Sequence, residues 1–149
     1  MTMTFLSTKS YGAETGLSCC YRQWRADSHC NLLHGYALSV RFVWSGELDH
    51  RNWVVDFGGL KDLKQWLKEQ FDHTTLIARD DPYLSHFEDL AINNLIDLRI
   101  VDGVGTELFA KMIANWTIEW MKSTGANKRV KLEEVEVREH GANSAIFRP

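Results

Sequence analysis

The sequence predicts an α+β fold with helices on one face of an antiparallel sheet. Three patterns carry that prediction. Residues His34 to Trp44 alternate at period two, residues 60–71 and 108–120 repeat apolar side chains at helical spacing, and Val130 to Glu139 alternate again.

Each element has its own signal. Leu17 to Arg25 (LSCCYRQWR) is rich in aromatic and β-compatible residues and follows the Gly-bearing YGAETG, which predicts a first strand. In the next strand His34, Tyr36, Leu38, Val40, Phe42 and Trp44 share one face and Gly35, Ala37, Ser39, Arg41 and Val43 take the other, so the His34 face is the buried one. Turn residues from Ser45 to Asn52 lead into Trp53-Val54-Val55, read as the return strand of a hairpin. Asp56 stands at an N-cap position before Leu60, Leu63, Leu67 and Phe71, an amphipathic helix that ends near Asp72. The polar, acidic stretch 77–103 reads as a long loop holding a short helix around 84–96. After Gly103 and Gly105, the residues Leu108, Phe109, Met112, Ile113, Trp116 and Trp120 mark a second amphipathic helix that stops by Gly125. In the last strand Val135, Val137 and Glu139 point away from Glu134, Glu136 and Arg138.

Composition narrows the classes of function. The chain has 149 residues, 44% of them hydrophobic, and 17 basic against 20 acidic side chains for a net charge of -3. A chain of this length buries on the order of two-thirds of its unfolded surface, so its core needs no disulfide staples. Its three cysteines, Cys19, Cys20 and Cys30, form neither an even framework nor a Cys-x-x-Cys pair, which predicts a reducing, cytoplasmic setting. No apolar run approaches the roughly 18 residues of a membrane span. MTMTFLSTKSYG lacks the basic-then-apolar pattern of a leader. Mixed charges of near-zero sum also argue against a nucleic-acid surface. The expectation is one domain over residues 1–149, with no membrane or nucleic-acid partner.

Several residues could carry chemistry. Cys30, beside imidazoles in SHCNLLHGY, reads either as a reactive thiolate or as an ordinary small apolar residue. His34 and Tyr36 point the same way on their strand, as metal ligands, substrate contacts or core residues would. Asp72-His73 reads either as a proton relay, the carboxylate fixing the imidazole tautomer, or as a histidine complementing a helix C-terminus. Glu139 continues the apolar face of Val135 and Val137. It is therefore either solvated beyond the strand end or a buried carboxylate that needs donors, such as a planar heterocycle with a ring N–H beside an amino group. Thr106-Glu107 reads as the cap and acidic first turn of the second helix.

Taken together, Cys30-x-x-x-His34-Gly35, Val54-Val55-Asp56-Phe57-Gly58-Gly59-Leu60-Lys61, Phe71-Asp72-His73, Gly105-Thr106-Glu107 and Val135-x-Val137-x-Glu139 resemble the 6-pyruvoyltetrahydropterin synthase and 6-carboxytetrahydropterin synthase family in order and spacing. The resemblance runs from about residue 17 to 140. It implies the tunnelling fold: a four-stranded antiparallel sheet with two helices on one face, closed through sheet edges into a barrel of a trimer or hexamer. It also implies a lyase acting on 7,8-dihydroneopterin triphosphate or a related dihydropterin. Cys30 would abstract a proton with Asp72 and His73 as partners, Glu139 would anchor the pterin ring, and Thr106 and Glu107 would line the pocket. Zinc is the implied cofactor, held in the family by three histidines. Here the sequence departs from the pattern, because Tyr21 and Tyr36 stand at two of those positions and only His34 remains. His29 and Cys19 are the nearest replacement ligands, so a site on His34 and His29 with one further group is one expectation. The alternatives are a metal-free paralogue that binds a pterin or purine-like ligand without turnover, and an enzyme of the retro-aldol or epimerase type that needs no metal.

Overall fold

The computed structural model describes residues 3–149. In chain order its elements are β1 (Phe5–Tyr11), β2 (Leu17–Tyr21), β3 (His34–Gly46), α1 (Lys61–Phe71), β4 (Thr74–Ala78), α2 (Leu84–Ile92), β5 (Leu98–Val101), α3 (Thr106–Thr124), β6 (Val130–Arg138) and β7 (Ser144–Phe147). The strands make one sheet of order β5-β4-β2-β3-β6-β7, with β1 also paired to β3. β3 is its spine. β2 runs antiparallel to residues 34–38, β1 to residues 40–46 and β6 to residues 39–46. β4 lies parallel to β2, and β5 parallel to β4.

The predicted α+β class holds, with seven strands among the described residues in place of four, and with α2 standing where the short helix around 84–96 is expected beside the two amphipathic helices. The four added to the predicted set have weak sequence signals for identifiable reasons. β4 (TTLIA) is buried at every position because it is an inner parallel strand, so it shows no alternation. β5 and β7 span only 4 residues each. β1 is a mostly exposed edge of serine, threonine and lysine.

Three boundaries also move. β2 stops at Tyr21 rather than Arg25 because the Gln23 N–H turns to the Cys30 carbonyl at 2.9 Å. Trp53-Val54-Val55 is not a strand. The Asp49 carboxylate accepts the N–H groups of Arg51 at 2.8 Å and Trp53 at 3.1 Å, and the Arg129 guanidinium donates to the carbonyls of Glu47, Trp53 and Val54. Those carbonyls therefore need no strand partner. Asp56 caps a short 3-10 turn over Phe57–Gly59, accepting from the Gly58 N–H at 3.0 Å, and α1 begins only after it.

Burial on β3 follows the predicted face, with Leu38, Val40, Phe42 and Trp44 inaccessible; beyond residue 42, Val43 on the opposite face is buried as well. A bulge in the β3–β6 register leaves Glu133 without a partner. It shifts the pleat by one residue, so Val130 and Leu132 reach the same core as Val135 and Val137 despite their different parity. α1 adds Leu63, Leu67 and Phe71 and α3 adds Phe109, Ile113 and Met121. Each such side chain contributes about 1.5–3 kcal/mol on burial. Trp66, Trp116 and Trp120 stack in parallel across the two helices, with ring centroids 4.7 and 6.3 Å apart. Among the described residues no helix is long and apolar enough to cross a membrane.

Phe109 joins the core to the β2 end of the sheet: it is 0% exposed and meets Tyr21 edge-on at 5.0 Å and Phe71 at 5.4 Å. Phe109→Ala is expected to lower stability by about 3–5 kcal/mol, read from the urea midpoint at unchanged slope.

Candidate functional site

The register of β2 on β3 sets Tyr21 opposite His34, and the pleat puts Tyr36 on the same face. The rings gather at centroid separations of 6.4 Å for Tyr21–His34, 5.9 Å for Tyr21–Tyr36 and 5.2 Å for His34–Tyr36. β6 ends at Arg138, one residue before Glu139, yet the Glu139 side chain continues the inward face. Its carboxylate accepts the Tyr21 hydroxyl at 3.2 Å and the Asn143 amide at 3.3 Å, and its own N–H donates to the Asn143 carbonyl. Glu139 is thus half-buried with two donors already in place.

Hydrogen bonding assigns the His34 tautomer. Nδ1 lies 2.6 Å from the Leu32 carbonyl, which can only accept, so Nδ1 carries the hydrogen. Nε2 therefore accepts from the Tyr36 hydroxyl at 3.0 Å. Both phenols keep their protons well beyond neutral pH. Burial, then the Glu139 charge and the hydrogen bond to it, push Tyr21 far above the usual phenol range. Burial with the nearby Glu139 and Cys30 raises Tyr36.

Cys30 sits on a single 3-10 turn, His29–Asn31, whose cap Ser28 accepts the Cys30 N–H at 3.3 Å. An ion pair latches that turn to the sheet. Arg22 pairs with Asp81 at 2.8 Å, with side chains 19% and 0% exposed, and donates to the Asn31 carbonyl at 3.2 Å. The Arg22 guanidinium also lies over the Tyr83 ring, and Asp81 accepts the Tyr83 N–H. Asp81 hides in the acidic stretch RDDP, where nothing separates it from its solvated neighbours except the following proline. Thr106 and Glu107 open α3 with the Thr106 hydroxyl donating to Glu107 at 3.3 Å. Thr106 is not the cap: Gly105 holds that position, with φ 108°. A side chain there would be strained and would strike the Gln23 amide, so Gln23 links the α3 start to the Cys30 turn.

Asp72 and His73 do form a pair, Nδ1 to carboxylate at 2.6 Å. It lies elsewhere. The His73 backbone is left-handed at φ 57°, its N–H donates to the Ser18 carbonyl, and its side chain is 89% exposed. Ser18, which holds this pair, and Gln23, which holds the Cys30 turn, lie toward opposite ends of β2, up to roughly 16 Å apart along the chain. Cys30, His34, Tyr36 and Glu139 thus come together, Thr106 and Glu107 stand beside them, and Asp72-His73 stands apart.

The zinc expectation meets an unsuitable donor set. His29 is exposed on its turn and Cys19 is buried with its thiol pushed up to about 12 by burial, then by Cys20. His34 already spends its Nε2 lone pair on a phenol, and Tyr21 spends its hydroxyl on a carboxylate. Among the described residues no three His, Cys, Asp or Glu side chains could hold a metal ion.

Three comparisons place the chain among known proteins. The family model for 6-pyruvoyl tetrahydropterin synthase matches residues 12–149. A 6-carboxy-5,6,7,8-tetrahydropterin synthase of Rickettsia conorii is 40% identical over 55 residues, which are 35% of this chain and 39% of that protein. The fold matches the crystal structure of an uncharacterized protein, WS1659, from Wolinella succinogenes at TM-score 0.82 and 20% identity over 99% of both chains. It matches the 6-pyruvoyl tetrahydropterin synthase of Plasmodium falciparum at TM-score 0.71 and 17% identity over 98% of both.

Two outcomes follow from the site. Cys19, 5% exposed with a thiol held up to about 12, is expected to stay unlabelled by iodoacetamide at pH 8 until urea unfolds the chain, as read by peptide mass spectrometry. Tyr21 has a folded-state pKa above its unfolded value, so its contribution to stability is complete below about pH 10 and is lost as pH rises beyond. The urea midpoint should fall above pH 10, and more steeply in the wild type than in Tyr21→Phe.

Proposed function

Since the chain belongs to the 6-pyruvoyl tetrahydropterin synthase family, we propose that it is a pterin-transforming enzyme acting on 7,8-dihydroneopterin triphosphate or a related dihydropterin. The observation that carries this reading is the Glu139 carboxylate. A carboxylate offers about four lone-pair directions. Tyr21 and Asn143 use two, which leaves two for a ring N–H and its neighbouring amino group. The ring would lie with its substituted edge toward Tyr36, His34 and Cys30, with Thr106 and Glu107 at the α3 rim.

The proton chemistry falls to Cys30 and to the Asp72-His73 pair. Cys30 removes a proton from the substrate side chain as thiolate. Asp72 holds the Nδ1 hydrogen of His73, leaving Nε2 free to exchange a proton. The two parts lie too far apart to cooperate within one chain. An exposed pair on one copy would therefore complete the Cys30 site of another, in a homo-oligomer closed through the free β1 and β7 edges. No step is routed through zinc. The phenols at positions 21 and 36 favour the second reading, a metal-free paralogue that binds a pterin without turnover.

Incubation with 7,8-dihydroneopterin triphosphate followed by product analysis separates these readings. Glu139→Ala should weaken pterin binding by about 100-fold or more through loss of two charge-assisted hydrogen bonds, with circular dichroism unchanged. Cys30→Ala should bind normally and form no product. Mixed, refolded Cys30→Ala and His73→Ala chains should regain part of the activity. Wild-type protein that binds pterin and forms no product would sink the enzyme reading, and unchanged affinity in Glu139→Ala would refute the anchor.

A further inference from the structure

We infer that Tyr21 and Tyr36 turn the place of a metal centre into a metal-free hydrogen-bonding subsite, in which the Tyr36 hydroxyl, backed by His34, grips an oxygen on the ligand's side chain. The Leu32 carbonyl fixes hydrogen on Nδ1 of His34, so Nε2 is an acceptor and Tyr36 donates to it at 3.0 Å. Tyr21 donates to Glu139 at 3.2 Å. Where a metal ion needs converging lone pairs, two phenol O–H groups are already committed to an imidazole and a carboxylate. A cation there would break both bonds and meet neutral phenols.

The same bonds leave one group free for a ligand. While its hydrogen points at His34, the Tyr36 oxygen retains lone pairs that accept a hydroxyl hydrogen. Rotation of the hydroxyl instead presents the hydrogen to a carbonyl oxygen, so one residue can follow a side chain from alcohol to ketone. Its position fits: Tyr36 is half-buried, next to both Glu139 and Cys30, with the His140 ring 6.2 Å away. Tyr21, 2% exposed and packed on Phe109, plays the structural part by steadying Glu139.

This inference rests on the pterin reading for the identity of the ligand and stands apart from it on the metal. The full chain, incubated with excess zinc and desalted, should retain less than about a tenth of a zinc ion per chain. Tyr21→His/Tyr36→His should raise that content about tenfold. Stoichiometric zinc in the wild type that His34→Ala releases would overturn the inference. For the grip, Tyr36→Phe should weaken 7,8-dihydroneopterin binding by about tenfold and leave unsubstituted 7,8-dihydropterin unchanged. Equal losses for both ligands would overturn it. If the wild type binds neither, the pterin reading fails, and the zinc measurement still decides whether the site is metal-free.

Discussion

The pleat of β3 constrains everything else. One face of this 13-residue strand carries Leu38, Val40, Phe42 and Trp44 into the core and, toward its start, His34 and Tyr36 into the candidate site. A slip of one residue would send all six side chains to the opposite face. Burial of the four core residues, each contributing about 1.5–3 kcal/mol, therefore also fixes where the polar end of the face points. The site is the unburied continuation of the hydrophobic core, and its geometry inherits the core's rigidity.

Around that spine, long-range contacts hold segments that have no regular structure of their own. Arg129 ties the loop before α1 by taking three of its carbonyls. Arg22 and Asp81 perform the same service for the Cys30 turn. Breaking such a buried pair by removing one partner costs about 3–5 kcal/mol, because the other charge is left without compensation. A loop positioned this way can present a thiol with the precision of a strand. The left-handed backbone at His73 is a smaller instance: the conformation is disfavoured for a non-glycine residue, and the hydrogen bond to Ser18 holds it.

Chemistry of the cluster turns on who holds which proton. In a centre built from three imidazoles, neutral nitrogens would all aim lone pairs inward. Here two phenols aim hydrogens outward to His34 and Glu139, and the sense of the local hydrogen-bond network is reversed. Both phenols are also packed as parts of the fold, Tyr21 edge-on against Phe109 and Tyr36 edge-on against His34.

The sequence by itself determined the α+β class, the buried face of β3, both long helices and the family resemblance, because each rests on local periodicity or on spacing along the chain. It also singled out Cys30, His34, Asp72, His73, Thr106, Glu107 and Glu139. Only the tertiary structure decided which of them meet. β4 was illegible because an inner parallel strand is buried on both faces and shows no alternation, and β6 concealed its bulge because an extra residue merely looks like a change of parity. The Arg22–Asp81 pair joins residues 59 apart, and the Tyr21–Glu139 bond joins residues 118 apart. No local pattern encodes such pairs, since they exist only once the chain has closed. The separation of Asp72-His73 from Cys30 is of the same kind: it is set by the backbone bonds that hold one segment at Ser18 and the other at Gln23, toward opposite ends of β2.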